Sequence, residues 1–246
     1  MVMNSVNEFD LALVVDTTGS MGSFINQVKK DIVALLTTLS KRSDVDIKVG
    51  LVQYLDHPPE DSTLTINHPF GSISELQNAV KNINLGSGGD EAEAVLDGID
   101  EAVALKWRKH SRRIIVLVGD SPPHGFNISG DHWPKGCPCG KTLASVANNL
   151  EEKSISVYSI CCSSADLSTS FGKLSTLTGG EYFQANDAKK SVGRIEEILQ
   201  AEFSNIETDK IVLSSWDKFD EIIKSTGLKK SDVLSSISRL RSRDLV

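Results

Sequence analysis

Three short stretches of this 246-residue sequence bring together residue types that could do chemistry. The first is Asp16-Thr17-Thr18-Gly19-Ser20-Met21. Asp16, Thr18 and Ser20 alternate, so one turn can aim a carboxylate and two hydroxyls at a single point. That donor set suits a hard cation such as Mg²⁺, which takes oxygen ligands and keeps several waters. Thr18 or Ser20 could equally cap a helix that starts near Gly22. The second stretch, Gly86-Ser87-Gly88-Gly89-Asp90-Glu91-Ala92-Glu93-Ala94, has three carboxylates in four residues at the opening of a helix. Acidic residues in a first turn are also ordinary partners of the helix dipole. The third is Asp120, which follows the apolar run 114–118 (IIVLV).

The elements around them decide whether the three can meet. The near-continuous apolar runs 8–16 and 114–118 read as strands buried on both faces, each followed by a carboxylate. Residues 45–55 and 155–161 are further strands. Residues 63–67 are an edge strand, and 181–184 a last one. Between them, 22–41 has apolar residues at spacings of three and four, the mark of an amphipathic helix. Residues 73–82, 92–104, 142–153, 167–178 and 188–206 also read as helices. Alternating strands and helices predict an α/β fold: a doubly wound, mostly parallel central sheet flanked by helices. In such folds ligands bind beyond the carboxyl ends of the strands. Asp16 and Asp120 both fall there, and three oxygen-bearing loops on one edge are hard to obtain from capping alone.

Length and charge agree. At roughly 150 residues per domain, the chain makes one large domain with an appendage, or two small ones. Residues 209–246 carry 8 Lys/Arg against 6 Asp/Glu, and the remainder 18 against 27. An acidic main domain is a poor nucleic-acid binder, because phosphate affinity comes from Lys and Arg, but it suits a cation. No apolar run approaches the length of a membrane span, and residues 1–10 show no secretory signal. Cys137-Pro-Cys139 and the adjacent Cys161 and Cys162 are not spaced as a disulfide framework. A reducing, cytoplasmic location is expected.

The motif Asp16-Thr17-Thr18-Gly19-Ser20-Met21, the Gly88-Gly89-Asp90 loop and Val118-Gly119-Asp120 together resemble the von Willebrand factor A family, over about 8–207. The family's metal-ion-dependent adhesion site opens with Asp-x-Ser-x-Ser, and here a hydroxyl stands at each serine position. The run 119–125 (GDSPPHG) resembles an intracellular and bacterial subgroup, some of whose members are joined to an atypical kinase domain; no kinase is visible in this sequence. The second loop lacks the family's usual threonine. Asp90-Glu91-Ala92-Glu93 is closer to the Asp-x-Pro-Glu loop of integrin β-type domains, in which the glutamate reaches the metal. The resemblance thus implies a site of Asp16, Thr18, Ser20, Glu93 and Asp120, with Asp90 as a competitor of Glu93 or a ligand of an adjacent site. It implies Mg²⁺, or Mn²⁺ or Ca²⁺, as the ion. The implied function is metal-dependent binding of another protein, through an acidic side chain at the metal, without catalysis.

Rival chemistries are weaker. Haloacid-dehalogenase-type phosphatases also end a first parallel strand in aspartate, but need a second aspartate two residues on as general acid and base. Thr18 cannot do that at neutral pH. His124, His132, Cys137 and Cys139 are zinc-type donors, yet their spacing matches no strong zinc pattern, and four prolines make the segment read as a turn-rich loop. Cys161 and Cys162 read as core packing.

The expected domains are 1–208, of von Willebrand A type, and 209–246, a small helical module. In the latter Trp216, Phe219, Ile222 and Ile223 lie at helical spacing, Gly227-Leu228 breaks the helix, and Val233, Leu234, Ile237 and Leu240 follow. Helix, glycine turn, helix resembles a winged-helix core, which makes DNA contact through this tail the alternative function. Eight apolar residues make a minimal core, so the tail should lean on the main domain or on a partner.

Overall fold

The computed structural model describes residues 5–185 and 187–246; residues 1–4, part of the stretch expected to carry no secretory signal, lie outside them. Six strands form one sheet: β1 (Glu8–Asp16), β2 (Asp46–Tyr54), β3 (Thr65–Gly71), β4 (Arg112–Gly119), β5 (Ile155–Cys161) and β6 (Tyr182–Gln184). Their spatial order is β3-β2-β1-β4-β5-β6. Only β3 is antiparallel, at the edge beside β2, and the strands β1, β2, β4, β5 and β6 run parallel. The order reverses between β1 and β4, so the carboxyl ends of those two strands flank the crevice where such sheets hold ligands.

Helices α1 (Gly22–Leu39), α2 (Ile73–Lys81) and α6 (Ala188–Leu213) cover one face; α3 (Val95–Ala104), α4 (Leu143–Glu152) and the short α5 (Lys173–Leu177) cover the other. The period-2 pleat of β1 sorts its side chains accordingly. Phe9, Leu11, Leu13 and Val15 pack under α1 and α6. Ala12 and Val14 pack under α3 and α4.

Several elements depart from the sequence expectation: the edge strand expected at 63–67 is Thr65–Gly71, and the helix expected at 188–206 runs to Leu213. Helix α3 starts at Val95 rather than 92, because the Glu93 N–H bonds to the Pro122 carbonyl (3.0 Å) and the Ala94 N–H to the Leu55 carbonyl (3.1 Å). Those tertiary bonds hold 90–94 as a loop, so the three carboxylates are not a helical first turn. The segment 167–178 is a π-turn over Ser168–Gly172 followed by α5.

Helix α6 continues without a break past 208, and the tail follows as α7 (Phe219–Thr226) and α8 (Lys230–Ser242). Ile222, Val233 and Leu240 are buried together with Val6, Val212 and Leu245. The tail therefore leans on the main body. Trp216 and Leu234, expected in its core, are instead exposed, and the buried cluster is completed by Val6, Val212 and Leu245.

Candidate metal centre

Asp16 ends β1 fully buried, and its Oδ1 accepts from the Thr18 N–H (2.9 Å) and the Thr18 hydroxyl (2.7 Å). The Thr18 Oγ1 lies 3.3 Å from the exposed Ser20 Oγ. Neither hydroxyl caps a helix: the turn at Gly19–Met21 and helix α1 both lack a side-chain cap. Elsewhere in the chain Ser72, Thr142 and Asp187 do cap α2, α4 and α6. Thr18 spends its hydroxyl proton on a carboxylate instead, which removes the capping explanation of the motif.

The second loop is laid against the first by backbone bonds. The Gly19 N–H donates to the Ser87 carbonyl (3.2 Å), and the Gly86 N–H to the Thr17 carbonyl (2.9 Å). Asp61, just ahead of β3, accepts from the Ser87 N–H (2.8 Å) and the Gly88 N–H (3.1 Å). Gly88 adopts φ +61°, and a Cβ there would stand 3.0 Å from the Thr18 Cβ and 3.2 Å from the Glu93 Oε1. Glycine supplies this left-handed backbone without steric cost, and the tight approach brings Glu93 beside Thr18. At the end of β4, a Cβ on Gly119 would lie 2.2 Å from the Tyr54 hydroxyl and 3.4 Å from the Asp16 Cβ. The missing side chain lets β4 deliver Asp120 close to Asp16. Asp120 is half-buried; its Oδ1 accepts from the Ser121 hydroxyl (3.3 Å) and its carbonyl from the Ser163 hydroxyl (2.9 Å).

The electrostatics are those of buried carboxyls crowded together. Burial, then the nearby Asp120 charge, pushes Asp16 up to about 7. Burial, then Asp16 and Asp56, pushes Glu93 up to about 10. Asp16 Oδ2, Glu93 Oε2 and the Tyr54 hydroxyl are buried without a hydrogen-bond partner among the described residues. Buried polar atoms are normally paired, so two orphaned carboxylate oxygens within one cluster call for a ligand. Asp16, Glu93, Asp120, Thr18 and Ser20 are an all-oxygen set that could hold a hard divalent cation.

Asp90 takes a different place. Its Oδ1 accepts from the Ala92 N–H (2.7 Å) and its Oδ2 from the His132 N–H (2.7 Å), in a group with Asp56 and His124. His124 is clamped between Asp56 (2.8 Å) and Asp131 (3.0 Å), and Asp131 also accepts from the N–H groups of Gly125 and Trp133 (both 2.8 Å). Burial alone would lower His124, but these two carboxylates outweigh it and raise it.

The sequence profile of the von Willebrand factor type A domain matches residues 10–200. The chain belongs to this family. Among curated relatives of this von Willebrand A chain is the alpha-protein kinase vwkA of Dictyostelium discoideum, 30% identical over 206 residues, which are 82% of this chain and 31% of that protein. A putative ariadne-like RING finger protein, R811 of Acanthamoeba polyphaga mimivirus, is 26% identical over 73% of this chain and 19% of its own length. The chain thus spans a third or less of these two relatives. Among solved structures, the pilus adhesin SpaC of Lactobacillus rhamnosus GG superposes with a TM-score of 0.58 at 15% identity, covering 79% of this chain and 30% of that one. Proximal thread matrix protein 1 of the mussel byssus gives 0.57 at 15% identity, covering 80% of this chain and 46% of that one. At such identities these structures speak for the fold alone. Domains of this family are commonly protein-interaction modules.

Sequence reasoning overlooked several residues that organise this edge of the von Willebrand A sheet. Asp56 and His57 stand just past the end of β2, beside the end of β1 at Asp16, and a signal was available in Tyr54-Leu55-Asp56-His57. Asp61, Asp97 and Asp131 carried no such signal, since their partners come from distant loops.

Proposed function

We propose that this domain binds a partner protein through a divalent cation, Mg²⁺ or Mn²⁺ or Ca²⁺, held by Asp16, Thr18, Ser20, Glu93 and Asp120. The observation that carries the reading is the pair of oxygens, Asp16 Oδ2 and Glu93 Oε2, buried in a cluster of acids without a hydrogen-bond partner among the described residues. A bound cation would supply the missing positive charge and offer its remaining positions to water or to a partner carboxylate. Glu93, as a carboxylate where the family usually has a threonine, adds negative charge. It should tighten the ion and make it a weaker acceptor for an incoming acidic side chain. Asp90 serves the neighbouring loop rather than this ion.

The tail, 209–246, is read as a helical module that supports or extends protein binding. Arg239 and Arg243 both face Asp209, Arg239 at 2.7 Å and Arg243 at 3.6 Å. That leaves fewer free cations for a DNA phosphate. Calorimetry with Mg²⁺ and Mn²⁺ tests the main reading: the wild type should bind at millimolar levels or below, and Asp16→Ala should not, while its far-UV circular dichroism stays unchanged. No heat of binding in the wild type would end the proposal. A partner should then be retained only with the metal present and lost with Asp16→Ala.

A further inference from the structure

Between Gly119 at the end of β4 and Leu143 at the start of α4, the chain has no helix or strand. Irregular segments of this length inside a compact domain are uncommon and need something to hold them. At one point this segment meets two others. Cys137 Sγ lies 3.1 Å from Asp97 Oδ2 and 3.5 Å from His57 Nε2, and His57 Nε2 lies 3.1 Å from the same Asp97 oxygen. Cys139 adds a fourth donor, so that one ligand atom from each of His57, Asp97, Cys137 and Cys139 lies within 4.8 Å of the others. We infer that His57, Asp97, Cys137 and Cys139 form a zinc site that pins the long loop to the β2–β3 connection and to the first turn of α3.

The geometry and the donor types agree with this. Tetrahedral coordination at ordinary Zn–S, Zn–N and Zn–O lengths puts donors about 3.3–3.8 Å apart, and the three measured separations are within a few tenths of that. Two soft sulfurs and a borderline imidazole outnumber the one hard carboxylate, and so favour zinc over the hard ion proposed for Asp16. Four protein donors leave no open position, as in structural rather than catalytic sites. His57 is 3% exposed, Asp97 2% and Cys137 9%, so three of the four are withdrawn from water. Without a metal, Asp97 Oδ2 shares the His57 ring nitrogen with the Cys137 thiol, and an S–H is a weak donor to add to that pair. On binding, each thiol gives its proton to solvent and the sulfur's lone pair goes to the metal, with no change of oxidation state. The site would then carry one net negative charge, and Lys141 Nζ stands 3.9 Å from Asp97 Oδ1 to balance it. Trp133 packs edge-on against His57 at 5.6 Å between ring centroids and fixes the imidazole. The neighbouring group of Asp56, Asp90 and His124 has no sulfur among its donors, and carboxylates favour harder ions.

His124 and His132, which the sequence grouped with these cysteines, are not part of the site. Its other two donors come from 80 and 40 residues before Cys137, which is why no spacing motif was visible.

The test uses the full chain expressed in zinc-supplemented medium and dialysed against metal-free buffer. Elemental analysis should find about one zinc per chain. Cobalt substituted for it should show the intense visible bands of a tetrahedral ion and a near-ultraviolet thiolate band. Cys139 is exposed, so Cys139→Ser should fold normally; as a direct ligand it should lower zinc affinity by at least the roughly tenfold seen for outer-shell partners, and weaken the thiolate band. Asp16→Ala should keep its zinc, which separates this site from the Mg²⁺ reading. Absence of zinc from the wild type, a cobalt spectrum without a thiolate band, or zinc unaffected in Cys139→Ser would each overturn the inference.

Discussion

Strand β1 buries an aspartate at each end, on the same face of the sheet, and the two are treated in opposite ways. Near the amino end, Asp10 accepts from the Arg108 N–H, the Arg108 Nε–H and the Ser111 hydroxyl, each at 2.8 Å. The acids around it are matched as well. Glu202 receives both arms of Arg112 (2.6 and 2.8 Å) and the Tyr158 hydroxyl (2.5 Å). Asp209 receives Arg239 and Ser236, each at 2.7 Å. At the carboxyl end, Asp16 and Glu93 each keep an oxygen with no hydrogen-bond partner among the described residues. A buried acid with an arginine holds the fold together; a buried acid without one costs stability and is retained for what it can bind. Burial alone does not distinguish a structural charge from a functional one, but the presence of a built-in cation does.

The largest effect should come from breaking the matched end. Arg112→Ala leaves Glu202 buried and uncompensated, which typically costs about 3–5 kcal/mol. Urea denaturation should show that loss. The equivalent insult at the other end should do the reverse: neutralising an acid there, as in Glu93→Gln, should stabilise the metal-free protein by on the order of 1 kcal/mol while weakening the ion. A metal-free Glu93→Gln that melts no higher than the wild type would count against the electrostatic contrast.

Next is the ion itself. Anything that binds only the folded state stabilises it by mass action, about 2.7 kcal/mol at a hundredfold excess over the dissociation constant. Mg²⁺ should therefore raise the melting temperature of the wild type and leave that of Asp16→Ala where it is.

The two ends should also answer pH with opposite signs. The folded value of Asp16 is raised from 3.8 to about 7 by burial and by Asp120. The metal-free folded chain thus keeps a proton that the unfolded chain has released, and stability falls as pH rises across that interval. Glu93, raised from 4.5 to about 10, extends the decline upward. Burial works to raise Glu202 too, but Arg112 and Tyr158 overcome it and hold it down at about 2 from 4.5. Its contribution is complete above the unfolded value and is lost as pH falls from about 4.5 towards 2. Melting temperatures from pH 8 to 5 without metal should rise on acidification and do so less in Asp16→Asn; a flat profile would break the contrast.

These differences mark how far the sequence could be read. The sheet was legible because buried parallel strands such as 114–118 are almost wholly apolar, and the oxygen motif stood out because Asp16, Thr18 and Ser20 alternate within one short stretch. The start of α3 was misplaced because Glu93 and Ala94 have ordinary helical composition, and the carbonyls of Pro122 and Leu55 that hold them out of the helix come from other loops. Asp10 and Asp16 look alike in one strand. What separates them is Arg108, 98 residues away, and no local pattern reports a partner at that distance. Trp216 sits at helical spacing with Ile222 and Ile223 but is exposed, and Val6, Val212 and Leu245 complete that cluster.

The smallest effect is expected in the tail, where the same contrast separates basic residues of α8 from Arg243, which follows its last turn. Arg243 is buried and donates to the carbonyls of His110 (2.9 Å), Ser5 (3.0 Å) and Val6 (2.8 Å), so it holds the end of the chain to the main body. Lys230 and Arg241, on α8 itself, are exposed. Reversing both charges, Lys230→Glu with Arg241→Glu, should change stability by no more than about 0.5 kcal/mol, as at ordinary surface positions. Leu240→Asp should detach α8, because it puts a carboxylate into the cluster of Val6, Val212 and Ile222. The double reversal also separates the two readings of the tail. A protein-facing or structural module keeps its function when Lys230 and Arg241 face water, whereas a DNA-binding helix would lose a salt-sensitive complex with them. Gel-shift titrations of the full chain and the double variant on duplex DNA at low and moderate salt should give no complex for either. A tight complex in the wild type that the reversal abolishes would move Lys230 and Arg241 from solvated surface to binding site.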